Sequence, residues 1–210
     1  MLKLNDNNKL NLLGNAKTYP SIERGQILSF ATCNRNKFIE ASKILGKFNV
    51  EIQRIDREEE IQDDDLKMIA THSLIKSLKS VQGPIIVEDA GLFINTLKGF
   101  PGPYSSYVYK KLGVGAILKL LKGERNRNAE FKSIIAYGII EEKKTLITTF
   151  SGVIKGRIAS QSRGTGFGFD PIFVPNNEHL TFGEMTMEQK NRLSHRFKSL
   201  VKFVNWYQRR

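Results

Sequence analysis

The feature that most limits the architecture of this chain is an alternation, through its first half, of short apolar runs with stretches of helical period. Residues Gln26–Thr32 carry Ile27, Leu28, Phe30 and Ala31, a nearly continuous apolar run of the kind buried on both faces of a parallel sheet. Asn34 or Asn36 can then cap a helix reaching about Leu45, with Phe38, Ile39, Ala41, Ile44 and Leu45 on its apolar side. Val50–Ile55 reads as a second strand. The acidic stretch Glu58–Asp65 leads into a helix through Leu66, Ile69, Ala70, Leu74 and Leu78, which Gly83-Pro84 breaks. Ile85, Ile86 and Val87 form a further buried strand, expected to end at Glu88-Asp89-Ala90-Gly91. Strands and helices in such alternation call for an α/β fold.

The second half reads differently. Phe131–Ile140 and Thr145–Ile154 are two strands joined by the charged turn Glu141–Lys144, a hairpin that makes the sheet mixed. Leu193, Phe197, Leu200, Val201 and Val204 recur at helical spacing and predict a C-terminal helix. Residues 1–25 are polar and rich in Asn, and read as a mobile N-terminal extension. The remainder, 26–210, suits a single domain with an ample apolar core.

Composition removes several classes of function. No apolar run approaches the ~18–20 residues that span a bilayer, and no signal-peptide layout opens the chain. A membrane role is not expected. A single cysteine, Cys33, excludes an intramolecular disulfide and a multi-cysteine zinc site, and makes a reducing, cytoplasmic setting the default. His72, His179 and His195 form no zinc-hydrolase pair. The formal charge of +12 attracts anions, whether nucleotides, nucleic acids or acidic membranes. The positive residues are scattered, so charge alone fits a binding module as well as an enzyme.

Four clusters can carry chemistry, each on a loop where α/β proteins bind ligands. In Thr32-Cys33-Asn34-Arg35-Asn36-Lys37 a strand runs into a helix start, which is either an ordinary cap or a phosphate cradle. No Walker A motif occurs, and no Cys–His pairing is readable that would make Cys33 a nucleophile. Glu88-Asp89 follow an apolar strand, with Glu58, Glu59, Glu60 and Asp63–Asp65 upstream. Carboxylates so placed suit Mg²⁺, although most of the upstream run also reads as a solvated helix start. Arg163–Pro171 sets glycines at alternate positions around Phe167 and Phe169, which can stack a base, and Asp170, which can accept from ring N–H groups. The bland alternative is a glycine turn with core phenylalanines. In Lys190–Arg196, Lys190 and Ser194 share a face if the segment is one helix; otherwise Ser194 caps the last helix with His195 and Arg196 in its first turn.

Together and in this order the four clusters resemble the inosine/xanthosine triphosphate pyrophosphatase family. The resemblance runs from about Gln26 to Leu200 and rests on four stretches. They are Thr32, Asn34 and Lys37 followed by Glu40; Ile86–Leu92 trailed by Gly99–Ser105; Gly166–Phe173; and Lys190 with Ser194-His195-Arg196. The resemblance implies an elongated mixed β-sheet with flanking helices, two lobes around a central cleft, and a homodimer. It implies Mg²⁺-dependent hydrolysis of ITP, dITP and XTP to monophosphate and pyrophosphate. By position, Thr32, Cys33, Asn34, Arg35, Asn36 and Lys37 would bind the triphosphate, with Lys76 facing the phosphates. Glu60 and Asp89 would hold the metal, and Asp89 would act as base toward the attacking water. Phe167, Gly168, Phe169, Asp170, Lys190, His195 and Arg196 would surround the purine. Ala90 stands where the family commonly has Ser or Thr, Cys33 where it often has Gly, and Gly183 where Ala is frequent; these departures bear on affinity. The competing expectations are a triphosphatase of other base preference and, less in keeping with the carboxylates, a basic nucleic-acid-binding module.

Overall fold

The computed structural model describes residues 27–56, 61–141 and 144–209. The expected extension at residues 1–25 and the acidic Glu58–Glu60 lie outside the described residues. The described chain forms one mixed seven-stranded sheet with helices on both faces. Its elements are β1 (Leu28–Ala31), α1 (Arg35–Gly46), β2 (Ile52–Ile55), α2 (Leu66–Ser80), β3 (Ile85–Ile94), β4 (Pro101–Gly102) and α3 (Ser105–Leu120). They continue with β5 (Asn128–Glu141), β6 (Lys144–Ile158), β7 (Phe173–Pro175), α4 (Met187–Leu193) and α5 (His195–Tyr207).

The strand order is β2-β1-β3-β5-β6-β7, with β4 paired to the far end of β3. β1 runs parallel to both β2 and β3, as the strand–helix alternation of the first half requires. β5 and β6 form the expected hairpin, in register from Asn128↔Arg157 to Glu141↔Lys144. Two apolar clusters cover opposite faces of one end of the sheet. Leu28, Phe30 and Ile86 meet Ile44 and Leu45 of α1 and Leu200, Phe203 and Val204 of α5. Ala31, Ile85 and Val87 meet Ala70, Leu74 and Leu78 of α2. A third cluster at the other end joins Leu92, Ile94, Phe131, Ile154, Phe173 and Phe182 to Val108 and Ile117 of α3. Each fully buried Leu or Phe contributes about 1.5–3 kcal/mol.

Three points differ in detail or are new. β3 does not end at Glu88 but runs on to Ile94, because β5 pairs with it along its whole length from Ile85↔Gly138 to Ile94↔Ala129. Of the two readings of Lys190–Arg196 the second holds: the expected C-terminal helix is α5, and Lys190 belongs to a separate helix, α4. Ser194, in extended backbone, closes α4 and caps α5, its Oγ accepting from Phe197 N–H at 3.1 Å. Lys190 and Ser194 therefore do not share a helix face. Finally, α3 has no counterpart in the sequence reading; Gly113 at φ 68° interrupts it midway.

One edge of the sheet is long. β6 pairs with β7 only at Gly156–Ile158, so among the described residues its stretch from Lys144 to Lys155 has a strand on one side only. Lys202 and Lys198 of α5 donate to the Ser151 and Val153 carbonyls there, at 2.7 and 2.9 Å.

Candidate functional site

The polar Glu88–Gly91 stretch sits between the apolar clusters, and the register of the sheet explains why it can. β1 ends at Ala31, opposite Val87, so past Val87 that flank of β3 loses its strand neighbour. Side chains alternate along a strand. Glu88 therefore follows Ile86 onto the face covered by α1 and α5, and Asp89 follows Val87 onto the other. Beside this opening lies a cavity of about 570 Å³. Its walls come from the loop after β1 (Thr32, Cys33, Asn34, Arg35, Lys37), from Asp89, Ala90 and Gly91 of β3, and from Ser105, Ser106, Tyr109 and Lys110 of α3. Phe131, the turn Phe167–Asp170, and Lys190, His195 and Arg196 complete it.

At the β1–α1 loop both readings of the motif have to be weighed. Asn34 caps α1, its Oδ1 accepting from the N–H groups of Asn36 and Lys37 at 3.0 and 3.2 Å, while its own N–H donates to Thr32 Oγ1 at 3.1 Å. Those N–H groups are engaged within the loop. The cationic side chains of Arg35 and Lys37 line the cavity at this end. Asn36 is exposed and does not line the cavity.

Beneath the cavity, buried charges alternate in sign. Lys190 Nζ lies 2.6 Å from both Asp170 Oδ2 and Glu40 Oε1. Arg196 pairs with Glu40 Oε2 and reaches Glu88 Oε1 at 3.0 Å. Lys37 Nζ stands 3.5 Å from Glu88 Oε2 and 3.9 Å from Asp89 Oδ1, and donates to the Glu88 carbonyl at 3.2 Å. Ser133 Oγ donates to Glu88 Oε1 at 2.8 Å and sits 2.9 Å from Ser199 Oγ. The titration of these groups follows. Burial opposes charge on Glu88, but Arg196 and Lys37 prevail and hold it at about 2. Burial likewise opposes charge on Glu40, yet Arg196 and Lys190 keep it below the ordinary carboxylate value. For Asp170 burial wins over Lys190, and its carboxyl is raised. Arg196 is raised, because Glu88 and Glu40 outweigh its burial. A cation in the first turn of a helix opposes the macrodipole; here those two carboxylates offset that cost.

The opposite end is aromatic. His195 stacks on Phe131 with centroids 4.8 Å apart and planes 11° from parallel. Burial, with the Arg196 charge, lowers His195 to about 3, so its imidazole is neutral. Its Nδ1 has no hydrogen-bond partner among the described residues. Phe167 is half-buried on the wall, while Phe169 is a core residue that meets Tyr109 edge-on at 5.8 Å and is less open for stacking than the sequence suggests. Gly166, at φ 152°, lies so close to Asp170 that a Cβ would come within 2.9 Å of its Cβ. Phe167 N–H donates to Asp170 Oδ2 at 3.0 Å.

Of the expected substrate residues, Thr32, Cys33, Asn34, Arg35, Lys37, Ala90, Phe167, Gly168, Phe169, Asp170, Lys190, His195 and Arg196 meet at this cavity, with Asp89 among them. Asn36 and Lys76 do not; Lys76 is half-buried on α2, ten residues past its start at Leu66. Lys190, His195 and Arg196 are all buried. Glu88, expected with Asp89 to suit a metal, instead lies buried among cations, and Glu40, Ser133, Tyr109 and Phe131 had no expected role. Only Glu40 and Glu88 carried a signal, each lying inside a motif.

Among the described residues no three His, Cys, Asp or Glu side chains gather as a metal site. Mg²⁺ does not require three; one or two carboxylates with waters and phosphate oxygens suffice. The Asp89 carboxylate, a hard oxygen donor on the cavity wall, fits that requirement. Glu60, its expected companion, lies outside the described residues.

Residues 28–206 match the profile of the Ham1 family. A dITP/XTP pyrophosphatase of Methanopyrus kandleri is 48% identical over 180 residues, 85% of this chain and 94% of that protein. One from Thermococcus kodakarensis is 47% identical over 181 residues, 85% and 96% of the two chains. Among solved structures, a HAM1 protein from Coxiella burnetii superposes with a TM-score of 0.76 at 26% identity, covering 88% of this chain and all of that one (100%). The Staphylococcus aureus Ham1 protein, at 23% identity, shares the fold with a TM-score of 0.73 over 87% of this chain and 98% of its own.

Proposed function

The chain belongs to the Ham1 family, and from that premise we propose that it hydrolyses deaminated purine nucleoside triphosphates, ITP, dITP and XTP, to the monophosphate and pyrophosphate. It is a nucleoside triphosphate pyrophosphatase, and its use is to clear aberrant nucleotides from the pool. The observation that carries the reading is one cavity onto which a cationic loop, the Asp89 carboxylate and an aromatic pocket with Lys190, His195 and Arg196 all open.

Arg35 and Lys37 receive the phosphate tail. Asp89, with Glu60, would hold a divalent cation, which we take as Mg²⁺; bound there, it would supply charge neutralisation at the departing pyrophosphate. Asp89 accepts the proton of the water that attacks the α-phosphate. Phe167 and the Phe131–His195 stack flank the base, and Asp170, Lys190 and Arg196 read its edge. A pocket whose buried polar groups match a 6-oxo purine leaves them unpaired against adenine.

The same reading makes residues 26–210 one two-lobed domain, preceded by an extension. It also places the enzyme in the cytoplasm, in keeping with the finding that no described helix is long and apolar enough to cross a membrane. We take it to be a homodimer, a role suited to the exposed Phe100, Tyr104 and Tyr107. The test is incubation with ITP, XTP, GTP and ATP plus Mg²⁺, followed by separation of pyrophosphate from orthophosphate. Pyrophosphate from ITP and XTP is expected, and Asp89→Asn should lose nearly all turnover while melting cooperatively. Orthophosphate with a nucleoside diphosphate would contradict the point of attack.

A further inference from the structure

We propose that Glu88 is a positioning residue that locks Arg196, at the base end of the cavity, and Lys37, at its phosphate end, into one register. The proposal rests on the hydrolytic reading above. The Glu88 side chain is fully buried and contributes nothing to the cavity wall, whereas Arg196 and Lys37 both do. It therefore acts through them. One oxygen, Oε1, faces Arg196 Nε at 3.0 Å, and the other, Oε2, faces Lys37 Nζ at 3.5 Å. Arg196 rides on α5 and Lys37 on α1, two helices linked to the central strand here through one carboxylate.

The orientation of that carboxylate is itself held. Ser133 Oγ, from β5, donates to Oε1 at 2.8 Å, and Lys37 donates to the Glu88 carbonyl at 3.2 Å. Glu40, the other partner of Arg196, is shared with Lys190 and cannot replace Glu88. Without that charge Arg196 keeps only Glu40 and Lys37 only Asp89, the one carboxylate they share is gone, and both ends of the site loosen together. Charge-assisted contacts of this kind are among the stronger ones in protein interiors.

The experiment compares Glu88→Gln, which keeps volume and an acceptor for Ser133 but removes the charge, with the unaltered enzyme. It reads four things: kcat and KM for ITP and ATP, the Mg²⁺ concentration for half-maximal rate, calorimetric binding of IMP in EDTA, and the melting temperature. KM for ITP should rise and the ITP-to-ATP ratio of kcat/KM should fall about tenfold, with IMP binding weakened similarly. Half-saturation by Mg²⁺ should stay within about twofold, because the proposal gives Glu88 no contact with the metal. An unchanged base ratio and unchanged IMP binding overturn the proposal, whether kcat falls or not. So does a large rise in Mg²⁺ half-saturation with the base ratio intact, which would make Glu88 a metal ligand. If Glu88→Gln does not fold, Ser133→Ala decides. Removing that one hydroxyl should shift the same ratio and the same IMP affinity in the same direction by about threefold, and no shift overturns the proposal. Failure of the unaltered enzyme to release pyrophosphate from ITP would sink the functional reading, while IMP binding would still test Glu88.

Discussion

Adding one methyl group at Gly152 should dislodge the start of α5. Gly152 lies within β6, paired with Ser133. A Cβ there would meet His195 O at 2.0 Å, Ser199 N at 2.6 Å and the His195 carbonyl carbon at 3.1 Å. All three atoms belong to the backbone at the start of α5, so no side chain can swing aside. To reach ordinary contact at 3.4 Å, the helix start must back away by roughly 1.4 Å. Overpacking against a fixed backbone costs about 1–3 kcal/mol, and stiffening the unfolded chain returns about 0.4–1 kcal/mol of that. At about 2–4 °C per kcal/mol for a chain of this size, Gly152→Ala should melt several degrees lower. Activity should fall further. Arg196 sits in the displaced turn, 3.0 Å from Glu88, and a misplacement near 1 Å can cost on the order of a hundredfold in rate. Gly115→Ala is the control, since nothing lies within 4 Å of its Cβ and it should melt at or slightly above the unaltered protein. Differential scanning calorimetry and kcat/KM for ITP decide the matter. A Gly152→Ala protein with an unchanged melting temperature and kcat/KM would refute the reasoning.

Two further outcomes follow from the buried charges. The folded state holds His195 at about 3 against an ordinary 6.5, so the unfolded chain binds the extra proton in between, and stability must fall as pH drops from 6.5 toward 3. The slope from this group is at most about 1.4 kcal/mol per pH unit. Urea unfolding between pH 5 and 7, above the window in which the contribution of Glu88 is lost, should be visibly flatter for His195→Gln, and equal slopes would count against a neutral buried imidazole. Lys190→Met removes the ammonium shared by Glu40 and Asp170, and should cost about 3–5 kcal/mol in the same assay. Adding Asp170→Asn should restore part of that, because it discharges one orphaned carboxyl; strict additivity of the two changes would argue against the bridge.

The elements that pack by local periodicity were legible in the chain. Ala41, Ile44 and Leu45 announce α1, Leu74 and Leu78 announce α2, and the β5–β6 hairpin shows in its apolar runs and charged turn. What escaped depends on partners far away. Glu88 and Asp89 look like a strand end because carboxylates are poor strand residues, yet β5 carries β3 through them, and Lys37 and Arg196 balance Glu88 across separations of 51 and 108 positions. α3 escaped because Gly113 and Gly115 interrupt any helical pattern, and with it went Tyr109 and Lys110 on the cavity wall. Ser133, on a strand that was read correctly, gives no sign of its bond to Glu88. The motifs marked most of the cavity wall, whereas the charges beneath it needed the tertiary fold.

The lysines along β6 bear on how this protein behaves when concentrated. An open strand edge displays carbonyls that can template another chain into cross-strand pairing, and natural sheets discourage this with charge. Here two ammonium groups already occupy the Ser151 and Val153 oxygens, so an incoming strand must first displace them and then lie against positive charge. Part of the basic surplus thus acts as a guard against self-association into fibrous material, independent of any anion the enzyme handles. Acetylating those two side chains would remove their charge, bare the edge and favour strand pairing between copies.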